Sequence, residues 1–156
     1  MATGTRYGVD LRAALLADSA DLAILLGGTS REIAIRLEAV LRDPASAVLV
    51  AHGWNGAAIG VIALHWHPTL TSDRPLARIT ALAVAEDERR NGIGRLLIKA
   101  GAQAARVAGC DLLEAALPTS EAAGPGGATA FLQALGFTPS GASFARPLRK
   151  RAVEAP

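Results

Sequence analysis

The strongest constraint in this sequence is a change of hydrophobic period across residues 77–108. Ala77 to Val84 reads as a strand, and Ala85 to Arg90 as a charged turn. From about Gly92 to Ala108, the apolar residues Ile93, Leu96, Leu97, Ala100, Ala104 and Val107 recur at helical spacing, with Gly109 as the natural stop. A strand that passes through a short turn into an amphipathic helix must lay that helix back over a sheet. The chain is thereby confined to folds in which helices cover a sheet.

The flanking sequence supplies the other elements. Tyr7, Val9 and Leu11 alternate with polar residues and predict a first strand. Asp18 or Ser19 caps a short helix through Leu26, stopped by Gly27 and Gly28. Thr29 or Ser30 opens a second helix with Ile33, Leu37, Val40 and Leu41 on one stripe, ended by Asp43-Pro44. Ala47 to Ala51 and Ala57 to Trp66 are strand-like, and Asn55-Gly56 between them suits an antiparallel hairpin turn. His67 to Pro75 reads as an exposed loop. Asp111 to Leu117 predicts a further strand, Pro118 to Gly127 a Gly- and Pro-containing linker, and Ala128 to Leu135 a helix closed by Gly136. Phe137 and Ala142 to Leu148 are expected as closing strands. The order is β α α β β β α β α β β: an α/β chain (α+β mixed sheet), mostly antiparallel, with helices on its faces.

A chain of 156 residues can bury roughly 70% of its unfolded surface, so one core suffices without metal or disulfide. A single domain is expected over 1–149, with 150–156 as a short basic tail. Lys plus Arg number 16 against 14 Asp plus Glu. Four of those cations lie at Arg146, Arg149, Lys150 and Arg151 against Glu154, which leaves residues 1–145 with a net charge of −1. A neutral body argues against a nucleic-acid partner. No apolar run approaches the roughly 18 residues of a membrane span. The lone Cys110 cannot form an internal bridge and is expected as a buried thiol, and no secretory leader pattern opens the chain, so the cytoplasm is the expected compartment. Arg exceeds Lys fourteen to two, the coding bias of a GC-rich, bacterial-like genome.

The chemistry concentrates in Glu88-Arg89-Arg90-Asn91-Gly92-Ile93-Gly94-Arg95. The first turn of a helix presents unpaired backbone N–H groups and the positive end of the peptide dipole. Gly92 and Gly94 lack the Cβ atoms that would hold a pyrophosphate away, and three arginines flank the turn. Neither a P-loop nor a dinucleotide fingerprint fits the spacing.

Arg89-x-x-Gly92-x-Gly94 resembles the Gln/Arg-x-x-Gly-x-Gly/Ala pyrophosphate motif of the GNAT superfamily of acetyl-CoA-dependent N-acetyltransferases. Leu82-Ala83-Val84 is similar to the Leu-x-Val that ends the preceding strand in that family, and Phe131 to Phe137 (FLQALGF) is similar to its late helix and Leu-Gly-Phe exit. The resemblance implies that backbone groups of Leu82, Ala83 and Val84 pair with the pantetheine arm of acetyl-CoA. Amides from Arg90 through Asn91, Gly92, Ile93 and Gly94 to Arg95 would hold its pyrophosphate beside Arg89. It implies acetyl transfer to a primary amine of a small molecule or peptide by direct attack in a ternary complex. No metal is required, and a homodimer is possible.

Direct attack needs a base, because an alkyl amine with a pKa near 10 is only about one part in a thousand free at neutral pH. The family often carries Glu two residues before Leu-x-Val; here that residue is Thr80, which can position a water. Glu114 on the neighbouring strand is the acidic candidate, with an ion pair to an arginine such as Arg78 as its competing role. His65 and His67 share one face of the preceding strand and are further candidate bases. The pair falls short of a zinc site without a third ligand, and His52 has no evident completion. Trp66 should face away from the histidines, and Trp54 sits beside the hairpin turn. The Tyr frequent in the family's late helix is Leu132 here, and its Asn three residues before the helix Ala is Pro125. Those departures support an alternative: a CoA-binding regulatory or interaction module with weak or absent transfer activity. A third possibility is a domain for another phosphate ligand. The acceptor side mixes Asp18, Asp21, Glu32, Glu38 and Asp73 with Arg31, Arg36 and Arg74, so no single-sign pocket is legible.

Overall fold

The computed structural model describes residues 8–88, 92–115, 127–139 and 144–149. The chain divides into two compact units, Met1–Thr119 and Ser120–Pro156. The first holds a five-stranded mixed sheet in the order β1-β2-β3-β4-β5. Its strands are β1 (Asp10–Ala13), β2 (Ser46–His52), β3 (Ala58–His67), β4 (Leu76–Val84) and β5 (Leu113–Ala115). Pairing is antiparallel from β1 to β4 and parallel between β4 and β5. Helices α1 (Ser19–Leu26) and α2 (Ser30–Arg42) lie between β1 and β2, and α3 (Ile93–Val107) is the crossover that parallel strands require.

Alternation along the strands assigns the two faces. Val48 and Val50 of β2 and Val61 of β3 share one cluster with Leu22 of α1 and Ile33 and Leu37 of α2. The intervening β3 residues meet α3: Ile93 and Leu97 pack over Gly60, and Gly101 sits on Ile62.

Local signals account for the element ends. Thr29 and Glu32 form the capping box of α2, the Glu32 N–H donating to Thr29 Oγ1 at 3.1 Å and the Thr29 N–H to Glu32 Oε2 at 3.0 Å. Helix α3 ends in a Schellman motif, with Gly109 at φ +94° and the Cys110 N–H reaching Ala105 O at 2.9 Å. Cys110 is buried, and that burial raises its thiol pKa. The β2–β3 turn is antiparallel as expected but wider than an Asn-Gly two-residue loop. The Gly56 N–H donates to Gly53 O at 2.9 Å, and Gly56 takes φ +81°.

Two apolar stripes are rotated relative to the sequence reading. On α3 the buried residues are Ile93, Leu97, Ile98, Gly101 and Ala105, while Val107 is 79% exposed. Periodicity gives a glycine no weight, yet Gly101 is the residue that lets this helix approach the sheet. On α2, Ile33 and Leu37 are buried, but Val40 and Leu41 are 36% and 43% exposed, because Val40 faces a cleft instead of a strand.

The fifth strand begins two residues later than expected, at Leu113, and positions 116 and 117 of the predicted strand lie outside the described residues. In the second unit, α4 (Gly127–Ala134) ends in another Schellman motif: Gly136 is at φ +93°, its N–H donates to Gln133 O, and the Phe137 N–H donates to Leu132 O. The closing strands expected at Phe137 and Ala142–Leu148 are absent over the described residues of those stretches, 137–139 and 144–149. Two physical reasons apply: the Phe137 N–H is consumed by the helix cap, and Pro139 and Pro147 have none to give a ladder. Among the described residues no helix is long and apolar enough to cross a membrane.

Candidate functional site

Strand β4 carries the site. Ala63 pairs with Ala81, but the next β3 residue, Leu64, pairs with Ile79, so Thr80 is an extra residue bulged out of the ladder. Its Oγ1 donates to Ala63 O at 3.3 Å. Beyond the bulge, Leu82, Ala83 and Val84 pair with Ile62, Val61 and Gly60 on one side. On the other side the described ladder with β5 runs as far as Ile79 and Ala115, and residues 116–126 lie outside the described residues. Among the described residues no strand is paired along the outer edge of Leu82–Val84; a strand edge of this kind can take an extended ligand through its backbone.

Chain direction carries that edge through a 3-10 turn (Glu86–Glu88) towards the start of α3. Arg89, Arg90 and Asn91 lie outside the described residues. Gly92 is the helix N-cap at φ +77°, with no side chain to satisfy the amides that follow. A Cβ there would meet nothing within 4 Å, so the backbone angle, not space, is what calls for glycine. Ile93, 2% exposed, packs over Gly60 and pins the first turn to the sheet. Its amide and those of Gly94 and Arg95 belong to the donors that a helix leaves without internal partners. The dipole adds positive potential there, and Arg95 is exposed alongside.

A cleft of about 510 Å³ opens beside the bulge, between α1, α2 and the sheet. Val48, Val61 and Ala63 form its floor, Leu22 and Leu37 its helical wall, and Arg36, Asp43, Ser46, His65 and Thr80 supply its polar groups. His65 stacks on His67 with ring centroids 5.6 Å apart. Glu114 takes the second of its two expected roles: Arg78 Nη2 donates to its Oε2 at 2.9 Å, and neither partner lines the cleft. Thr80 and His65 therefore line one cleft, while Glu114 is not among its lining residues. The acceptor side was legible only in outline. Of the eight charged residues the sequence offered there, Arg36 alone lines the cleft. Arg74 instead donates to Gly109 O. Ser46 and Asp43 carried no local signal, although Ser46 lies directly across the ladder from His65.

Away from the cleft, Arg12 forks onto Asp18 at 2.8 and 2.7 Å, and the Leu15 N–H donates to the same carboxylate at 2.8 Å. The hydrogen bonds from Arg12 hold the Asp18 carboxyl below its ordinary range, and the same bonds raise Arg12. His52 lies near Asp18 and sets its Nδ1 3.4 Å from Gly53 O. Among the described residues no three His, Cys, Asp or Glu side chains converge to hold a metal ion.

The family model for the acetyltransferase (GNAT) family matches residues 19–137. No curated relative matches the sequence. Similar solved structures include a transcriptional regulator from Bacillus halodurans, with a TM-score of 0.76 and 21% identity over 90% of this chain and 99% of that one. An acetyltransferase from Trypanosoma brucei gives 0.71 at 23% identity, over 90% and 99%. An aminoglycoside 6'-N-acetyltransferase from Acinetobacter baumannii gives 0.74 at 15% identity, over 92% and 99%. At these identities the structures attest the fold.

Proposed function

The chain belongs to the GNAT family of acetyltransferases, and from that premise we propose that it moves the acetyl group of acetyl-CoA to a primary amine within a ternary complex. The observation that carries this reading is an arrangement on one strand. The bulge at Thr80 opens onto the cleft, and Leu82–Val84, which pair only with β3 among the described residues, lead on towards a helix started by glycine.

These residues fit the cofactor. In this reading Leu82, Ala83 and Val84 offer their outer backbone groups to the pantetheine amides. Gly92, Ile93, Gly94 and Arg95 offer amides and positive potential to the pyrophosphate, joined by Arg89, Arg90 and Asn91 on the strength of the family motif. Acetyl-CoA supplies an activated acyl group: the amine nitrogen forms a bond to the carbonyl carbon, the C–S bond breaks, and the sulfur leaves as thiolate.

The chain must then accept one proton from the amine. We assign that role to His65, which lines the cleft and has no ion pair among the described residues. Thr80 positions the amine or a water through its hydroxyl. Glu114 ranks second, since its carboxylate is already engaged by Arg78. A thiolate is a tolerable leaving group near neutral pH, so Leu132 in place of the family's Tyr slows transfer without forbidding it.

Calorimetric titration with acetyl-CoA, CoA and ATP tests the cofactor reading. Micromolar binding of both CoA ligands with a clear preference over ATP is expected; equal binding of ATP, or no binding, would end it. For the base, His65→Gln should depress kcat and remove the acid-side limb of the pH profile, where the base must lose its proton to act, whereas Glu114→Gln should alter both less. The reverse ranking would return the role to Glu114.

A further inference from the structure

We infer that the amine acceptor is a monoamine carried on an apolar body, and not a polycation. This inference rests on the acetyltransferase reading and specifies the substrate class of the same cleft.

Volume and lining come first. About 510 Å³ is the size of a site for a small organic molecule. Its floor and wall are aliphatic, so an occupant that leaves water there must present apolar surface of its own.

Charge decides the rest. A polycation needs carboxylates free to pair with each of its ammonium groups, since a desolvated charge without a partner is strongly unfavourable. The acids on the elements that flank this cleft do not line it, and each already has a partner. Asp21 accepts the Ala58 N–H at 3.0 Å, Glu32 is held in the capping box, Glu38 bridges Arg42 at 2.6 Å, and Glu114 bridges Arg78. Asp43 is the one carboxylate among the described lining residues, and its Oδ1 already accepts the Ala45 N–H at 2.9 Å. Arg36 on the same lining cancels its charge and has no ion pair of its own among the described residues. An acceptor with several ammonium groups would therefore meet one occupied carboxylate and one facing cation. A monoamine avoids that conflict: its nitrogen sits at the His65 and Thr80 end and its body lies on Val48 and Val61.

The test uses the full chain. Acetyl-CoA binding is measured first; its absence sinks the transferase reading itself and is distinguishable from failure of the acceptor class. With acetyl-CoA saturating, release of CoA thiol is followed with phenethylamine and n-hexylamine against spermidine. The expected result is a kcat/KM for the apolar amines at least about tenfold above that for spermidine, the size of discrimination an apolar pocket can supply. Equal or better use of spermidine overturns the proposal. If neither class turns over, each amine is titrated into the CoA-saturated protein, and the absence of a preference for the apolar amines overturns it equally. Val40→Glu adds a carboxylate at the partly exposed rim of the cleft, where folding is not at stake. It should narrow the phenethylamine-to-spermidine ratio several-fold through KM, and an unchanged ratio would remove this cleft as the acceptor site.

Discussion

The two faces of the sheet are built on opposite principles. Under α3 the contact is close. Gly60 and Gly101 bring backbone against side chain, and a Cβ built on Gly101 would stand 2.8 Å from Ile62 Cδ1. Under α1 and α2 the inner part of the cluster is packed, but the outer part opens into the cleft, and polar anchors set the helices in place. Arg12 to Asp18 fixes the end of β1 to the start of α1, and Asp21 to the Ala58 N–H fixes α1 to β3. A close-packed face gains stability from contact, whereas a face that must admit a ligand cannot, and directional bonds do that work instead.

That contrast can be broken on either side. The largest effect is expected from Gly101→Leu, which forces a branched side chain into the α3 contact. A loss of about 3 kcal/mol in urea denaturation is expected, and a loss below half of that would mean that α3 is not close-packed. Asp18→Ala should cost about 2 kcal/mol. That is less than for a fully buried pair, because the Arg12 side chain keeps 29% exposure, but it also orphans the Leu15 N–H. Because the folded pKa of Asp18 is depressed, its contribution is present at neutral pH and is lost as pH falls through that lowered value. The parent should therefore lose stability more steeply than Asp18→Ala below about pH 4, and parallel acid profiles would argue against the pair.

Gly92→Asp should weaken acetyl-CoA binding about tenfold or more, through a strained left-handed backbone and a carboxylate beside a pyrophosphate. Unchanged affinity by calorimetry would remove the helix start from the cofactor site. The smallest stability effect belongs to Ala63→Val, which adds two methyl groups towards the open cleft. Stability should stay within about 0.5 kcal/mol while the KM for apolar amines shifts. A large stability loss would show that the cleft face is as closely packed as the other.

Legibility followed how local each signal was. The cap at Thr29, the stops at Gly109 and Gly136 and the antiparallel β2–β3 pair could be read directly, because caps and turns are settled by residues a few positions apart. So could the end of β4 at Val84 and the start of α3 at Gly92, since a strand leading into a glycine-started helix is contiguous in sequence. The buried stripe of α3 was misjudged because Gly101 owes its burial to Ile62, a residue far away in sequence. Val40 and Leu41 were misjudged because apolarity does not reveal whether a strand or a cleft lies opposite. Over the described residues the closing strands expected at Phe137 and Ala142–Leu148 do not form, since Phe137 looks strand-like until its N–H is seen to serve the cap of α4.

By itself the sequence determined the α/β class, the element order through α4 and the strand that leads into a glycine-started helix. Each of these depends on backbone conformations that neighbouring residues impose. Only the tertiary structure decided that Thr80 would be the bulged residue, that Glu114 would be committed to Arg78, and that His65, Thr80 and Arg36 would line one cleft. Those outcomes depend on register and helix placement, where a shift of one residue exchanges every side chain between the two faces of the sheet.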